Sequence, residues 1–341
     1  MLTYNKSIMN KTIVFYNSHQ NGDLIHCRQG VRWIIDHLDD SFKFFFVHNK
    51  NPEAVFFHEK VTVVKPQTDF HAYPMQPIKE YCGNQDPLLK DAFWINTWVG
   101  SLDGARDFVL SDHSYVILLP DANGAFSRNS EQIQDTLSFQ KRLYTQRINA
   151  LNEYFAENFS TRVVPLPLEK DLVCVWNSNP KNKILVDNLV DKNSKFDISV
   201  LICNGNTVSS QRENFIYEDI IKQYVIDNQN ICFYFTSKIS EIDSPNVFYI
   251  DDYFSIPNLN EIEYLMKFCD IIATSQSGPG CLAFNNSIVN DESKTLIILC
   301  VDSLQTYFDG GKCEYVRSDD FDDLNIVKLI AENVAKKIKT L

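Results

Sequence analysis

Short apolar runs alternate along the chain with stretches whose apolar positions recur every three or four residues, the pattern of strands leading into helices. In the first half, TIVFYNS (12–18) reads as a buried strand, and a helix beginning just after Asp23 carries Leu24, Cys27, Val31, Ile34 and Leu38 on one face. FKFFFVHN (42–49) and KVTVVK (60–65) are the next strands. A looser stretch rich in Tyr, Pro and Asp covers 66–92, and AFWINTWVG (92–100) and SYVILLP (114–120) are further strands. A long helix is predicted near 128–158, with Leu137, Leu143, Ile148, Leu151 and Phe155 as its apolar positions.

The segment 177–195 is polar and rich in Asn and Lys, the composition of a linker. Beyond it the alternation is cleaner, with strands at 197–204, 231–237, 246–251, 270–275 and 295–301 and helices near 211–228, 259–269 and 279–287. A last helix over 323–339 places Leu324, Val327, Ile330, Val334 and Ile338 at helical spacing. Strands alternating with helices imply parallel sheets covered on both faces, so the fold class is α/β with two doubly wound, Rossmann-like domains. The expected boundaries are 1–176 for the first domain, 177–196 for the linker, 197–322 for the second domain and 323–341 for the closing helix.

Length agrees, because 341 residues exceed what one hydrophobic core usually organises. A net charge of -12 speaks against nucleic acid as a partner, since binding to its backbone needs clustered Lys and Arg. The 9 cysteines are scattered, odd in number and set mostly in apolar runs without a CxxC pair, which predicts reduced, buried thiols and a cytoplasmic protein. The N-terminal stretch lacks the apolar core of a signal peptide, and no run approaches the roughly 18 apolar residues of a membrane span. The 7 histidines show no HExxH or paired spacing, so no metal site and no resident cofactor are expected.

Ligands of doubly wound sheets bind beyond the carboxyl ends of strands, where helix starts present free N–H groups. Two stretches fit. In FYNSHQNGDLIHCRQGVRWII (15–35), Gly22 permits a tight turn and Asp23 opens the helix, as a cap or as a functional carboxylate. Asn21, His26 and Arg28 fall within two helical turns of it, so polar groups converge there. In CDIIATSQSGPGCLAFNN (269–286), a strand runs into Ser275, Gln276, Ser277 and Gly278, and Pro279 and Gly280 open a short helix. The glycines let a ligand approach the backbone and the hydroxyls offer donors to phosphate oxygens, although Ser as a plain cap is the simpler use. ICNGNTVSSQREN (202–214) adds Asn204, Ser209 and Arg212, whose guanidinium is suited to a diphosphate, with Lys238 a further cation of the same kind. GxxxxGK[ST], GxGxxG and GxSxG are all missing. In FWINTWVG (93–100), Asn96 and Thr97 offer hydrogen bonds and Trp94 or Trp98 a face for a sugar, while strand aromatics also serve as core.

GDLIHCRQGV (22–31) resembles the Gly-Asp-Val-Ile-His stretch near the N-terminus of ADP-heptose:lipopolysaccharide heptosyltransferases, and EIEYLMKFCDIIATSQSGPGCLAF (261–284) resembles their donor-domain helix, strand and glycine turn. The resemblance implies the GT-B fold, two Rossmann-like domains facing a cleft, with a terminal helix crossing back to the N-terminal domain. It implies a metal-independent glycosyltransferase that moves a sugar from a nucleotide-diphosphate sugar to a hydroxyl acceptor such as a glycan, glycolipid or protein. Asp23 would be the general base, with His26 beside it. The family's second turn binds the nucleotide sugar, which carries over to Ser277 and Gly278; from their own chemistry and position Asn204, Ser209, Arg212, Lys238, Ser275, Gln276, Pro279 and Gly280 are expected beside them at the donor, and Asn21, Arg28, Asn96 and Trp98 at the acceptor. Gln276 and Cys281 stand where that family usually has Asp and His, which widens the expected donor beyond ADP-heptose. A nucleotide-sugar or glycan binding protein without catalysis, and a nucleotide-sugar epimerase, are the alternatives.

Overall fold

The computed structural model describes residues 11–17, 21–48, 56–66, 75–97, 114–115, 136–159, 164–172, 180–204, 217–255, 258–275, 278–283, 288, 291–300, 313–317 and 323–339. The chain divides into two units, Met1–Val173 and Cys174–Leu341.

In the first unit the described strands are β1 (Thr12–Tyr16), β2 (Lys43–Val47), β3 (Val61–Val64), β4 (Phe93–Asn96) and β5 (Ser114–Tyr115), in the spatial order β3-β2-β1-β4-β5. Each pair is parallel, with Ile13 beside both Phe44 and Phe93. Every residue of β1 is buried, as a strand covered on both faces must be. Helix α1 (Asn21–Asp36) buries Leu24, Ile25, Cys27, Val31, Ile34 and Ile35. On one face of the sheet, Val14, Tyr16, Val47 and Trp94 pack with Ile78, Cys82 and Leu89 of two helices, α2 (Met75–Gln85) and α3 (Pro87–Lys90). Elsewhere, α4 (Thr136–Asn158) stacks Tyr154 on Phe93 at 4.5 Å between ring centroids and sets Phe155 against Phe42 at 5.2 Å.

The second unit begins with α5 (Pro180–Lys192), then β6 (Ile198–Cys203), α6 (Tyr217–Asp227), β7 (Ile231–Phe235), β8 (Val247–Tyr249), α7 (Leu259–Met266) and β9 (Ile271–Ser275). It continues with α8 (Gly278–Ala283), β10 (Thr295–Cys300), β11 (Cys313–Arg317) and α9 (Asp323–Ile338). Its parallel sheet runs β11-β10-β9-β6-β7-β8. Val200 and Ile202 of β6, Phe233 and Phe235 of β7, Ile221 and Val225 of α6, and Ile330 and Val334 of α9 form one core.

Several expectations need correction. The stretch 66–92 is not loose throughout, because Ile78 and Cys82 lie one helical turn apart and are buried, and Asp86 caps α3 by accepting the Leu88 amide at 2.9 Å ahead of Pro87. The polar segment 177–195 is not a bare linker. It carries α5, which starts at a proline, buries Val186 and Leu189 one turn apart, and packs on α7, where Asp187 accepts a hydrogen bond from the Tyr264 hydroxyl at 3.0 Å. The unit boundary accordingly falls at 173/174. The closing helix α9 lies on β6, β9 and α6 of its own unit, where Ile330 and Val334 find their core, while Ile338 is 48% exposed. Finally, α1 starts at Asn21, so Asp23 stands inside its first turn instead of just ahead of it. The N-terminal end of the predicted helix at 128–158 lies outside the described residues, as do the strand residues 116–120.

Candidate functional site

Both sheets have a place where the strand order reverses. In the first, β2 and β3 follow β1 on one side, and the chain crosses over to set β4 and β5 on the other. In the second, β7 and β8 lie on one side of β6, and β9, β10 and β11 on the other. The strand pairs β1/β4 and β6/β9 therefore mark the two switch points, and such switch points are where doubly wound sheets bind ligands.

Buried polar residues follow several strands of each sheet. Asn17, His48 and Thr97, each the first residue beyond a strand of the first sheet, are fully buried at 0% exposure. Their amides continue the ladder, Asn17 to the Val47 carbonyl at 3.1 Å, His48 to Val64 at 3.1 Å and Thr97 to Tyr16 at 2.8 Å. Thr97 Oγ1 donates to the Tyr16 carbonyl at 3.0 Å, and Asn17 Nδ2 reaches Thr97 Oγ1 at 3.4 Å, a tie across the switch point between β1 and β4. In the second sheet Asn204 and Thr236 hold the same positions after β6 and β7, and both are buried. Asn17, His48 and Thr236 were passed over in the sequence, yet each carries a legible signal, a hydrogen-bonding side chain directly after an apolar strand.

The predicted site residues divide three ways. Asn21, Asp23 and His26 lie in the first two turns of α1, the helix that leaves β1, and their side chains are outside the described set. Ser275 ends β9, and Gly278, Pro279 and Gly280 begin α8, with Gly280 buried and the other two partly so. Asn96 ends β4 and is half-buried. Ser209, Arg212, Gln276, Ser277 and Trp98 lie outside the described residues.

Three residues are used differently from the expectation. Arg28 is 0% exposed, so its guanidinium is enclosed rather than presented at the surface. Trp94 is core, with its indole Nε1 donating to the Leu89 carbonyl at 2.8 Å. Asn204 is engaged internally at both ends of its amide. Nδ2 donates to Glu218 Oε1 at 2.8 Å and to the Ser237 carbonyl at 2.7 Å, and Oδ1 accepts from the Ser237 amide at 2.9 Å and from Thr236 Oγ1 at 3.2 Å. Lys238 follows β7 with Nζ 2.8 Å from Glu241 Oε1, and that hydrogen bond raises its pKa above the ordinary lysine value.

Three solved structures share this architecture. A glycosyl transferase of family 9 from Veillonella parvula is 12% identical, with 96% of this chain and 91% of that one aligned at a TM-score of 0.52. The E. coli ADP-heptose lipopolysaccharide heptosyltransferase II is 9% identical, aligned over 96% of this chain and 99% of its own at 0.53. The fold is GT-B. The E. coli heptosyltransferase WaaC, solved with ADP-2-deoxy-2-fluoro heptose, is also 9% identical, with 94% and 99% of the two chains aligned at 0.52. No family model matches this chain, and no curated protein matches it. At such identities the likeness establishes the GT-B fold, in which each Rossmann-like unit brings its own switch point, and leaves the chemistry to the residues.

Proposed function

We propose that the protein is a glycosyltransferase moving a sugar from a nucleotide-diphosphate sugar to a hydroxyl acceptor without a metal ion. One observation carries the reading. The two segments richest in convergent polar residues, 21–28 and 275–280, leave β1 and β9, strands that border the switch points of the two sheets. The first unit serves the acceptor and the second the donor.

A sugar hydroxyl is a poor nucleophile at neutral pH. Asp23 takes its proton as the oxygen attacks the anomeric carbon, the bond from that carbon to the diphosphate breaks, and the diphosphate departs with the electron pair. A carboxylate in the first turn of a helix is held in its charged form by the helix dipole, the state a base requires. The leaving charge is met by Arg212, Ser277 and the main chain at 278–280, donors aimed where charge develops. His26, one turn along α1 from Asp23, orients that carboxylate or touches the acceptor. A cytoplasmic setting belongs to the same reading, since the six cysteines with described side chains are all free thiols.

The test has two stages. Nucleoside diphosphates and their sugars are screened for thermal stabilisation, where a ligand at 100 times its Kd adds about 2.7 kcal/mol. Transfer is then measured with Asp23→Asn, which keeps the size of the side chain. The substitution is expected to spare donor binding and to lower turnover by at least about 100-fold, the lower range for a general base. Normal turnover would reduce Asp23 to a first-turn carboxylate of α1. Donor binding without transfer would leave a binding protein, and conversion of the donor sugar without acceptor an epimerase. Chelation by EDTA is expected to leave the rate unchanged.

A further inference from the structure

The proposed chemistry makes no use of a carboxylate at the start of α6. Glu218 is 0% exposed, and its Oε1 accepts from Asn204 Nδ2 at 2.8 Å, the Ile239 amide at 3.2 Å and the Ser240 amide at 3.4 Å. Its Oε2 is buried without a hydrogen-bond partner among the described residues. Enclosing a carboxylate with one oxygen unsatisfied costs folding free energy, so stability alone does not account for a glutamate here.

The arrangement has a clear geometric result. Asn204 grips Ser237 through both its amide and its carbonyl, and Glu218 grips the amides of Ile239 and Ser240. Lys238 lies between them. Its main chain is fixed on both sides by two buried side chains, one directly after β6 and one opening α6, while its own Nζ stays at the surface, 2.8 Å from Glu241 and 5.3 Å from the Tyr249 ring centroid. We propose that Glu218 is a positioning residue for donor recognition, holding with Asn204 the chain around Lys238 so that its ammonium meets the diphosphate of the donor. The inference rests on the glycosyltransferase reading. On binding, Nζ exchanges the Glu241 carboxylate for phosphate oxygens of the same charge sign, so the cation moves by side-chain rotation over a main chain that stays in place.

Isothermal titration of the full chain with ADP, UDP and GDP tests this, using Lys238→Ala, Glu218→Ala, Glu218→Gln and the double alanine variant, with melting temperatures in parallel. For the diphosphate that binds the wild type, Lys238→Ala and Glu218→Ala are each expected to weaken binding about tenfold, the scale of one hydrogen bond to a charged group. The double variant should bind no more weakly than Lys238→Ala alone, because residues acting through one another do not add. Glu218→Gln keeps an acceptor at the Oε1 position and should stay within about twofold of wild type, whatever its melting temperature does. Should Glu218→Ala fail to fold, Glu218→Asp, one methylene too short to reach the Ile239 and Ser240 amides, carries the same coupled expectation. Glu218 variants that melt earlier but bind normally, or losses that add to that of Lys238→Ala, would leave Glu218 a purely structural residue. Binding that Lys238→Ala leaves unchanged would overturn this inference alone. A wild type that binds none of the diphosphates would overturn the glycosyltransferase reading and this inference with it.

Discussion

Gly30 shows how one residue can decide a helix contact. It lies in the middle of α1, where Ala would raise helix propensity by up to about 1 kcal/mol. A Cβ built there would stand 2.0 Å from Cζ of Tyr144, a buried ring of α4 whose hydroxyl donates to the Cys27 carbonyl. The ring is hydrogen-bonded and enclosed, so it has nowhere to withdraw. Gly30→Ala is therefore expected to destabilise the protein by about 1 to 3 kcal/mol despite its better propensity, the usual cost of overpacking, read as a lower urea midpoint. An unchanged midpoint would show that α1 and α4 can separate at little cost. At this scale the sequence was a partial guide. It made Asp23 and the glycine turn at 278–280 candidates by type and company. It said nothing of the partners that turned Asn204 inward, since those partners lie 14 or more residues away.

Among elements, the misread ones share a cause. Helix α5 carries three Asn and Lys residues within its first half, a composition that passes for a linker, and it is helical because Val186 and Leu189 have α7 to pack on. Isolated propensity is weak beside such burial. Loop and helix ends are secured by similar long-range bonds. Lys294 Nζ donates to the Lys267 and Cys269 carbonyls just after α7 at 2.7 and 2.8 Å, and burial lowers its pKa. Asn246, also buried, gives its amide to the Val225, Asn228 and Ile231 carbonyls around the turn from α6 into β7. For α9, Ile330→Ala should cost about 2 to 5 kcal/mol of stability, as a large core side chain is lost, whereas Ile338→Ala should stay within about 0.5 kcal/mol. Equal effects at the two positions, measured by chemical denaturation, would contradict the packing of this helix on the second unit.

For the whole molecule, the buried thiols set an alkaline limit. Burial pushes Cys82 up to about 11 and Cys203 and Cys232 up to about 12. The unfolded thiol loses its proton near about 8.5, so above that pH the unfolded chain binds fewer protons than the folded one and stability falls with rising pH. The contribution is complete below about 8.5 and is lost progressively toward about 12. Denaturation midpoints should drop across that window, and these three thiols should resist a thiol reagent at pH 8 until the chain unfolds. Rapid labelling of Cys203 or Cys232 in the native protein would contradict their burial. Among the described residues no helix is long and apolar enough to cross a membrane. The alternation of apolar runs with helical spacing was enough to determine α/β class, two doubly wound units and the strand ends where polar residues gather, because parallel strands buried on both faces must be apolar along their length and must end where the chain turns polar. Strand order, and with it the two switch points, was decided only by the tertiary structure, as were the docking of α9, the helical state of α5 and the clasp of Glu218 and Asn204 about Lys238. Each depends on contacts between residues far apart in the chain, whose free energy outweighs local propensity and leaves no periodic trace in the sequence.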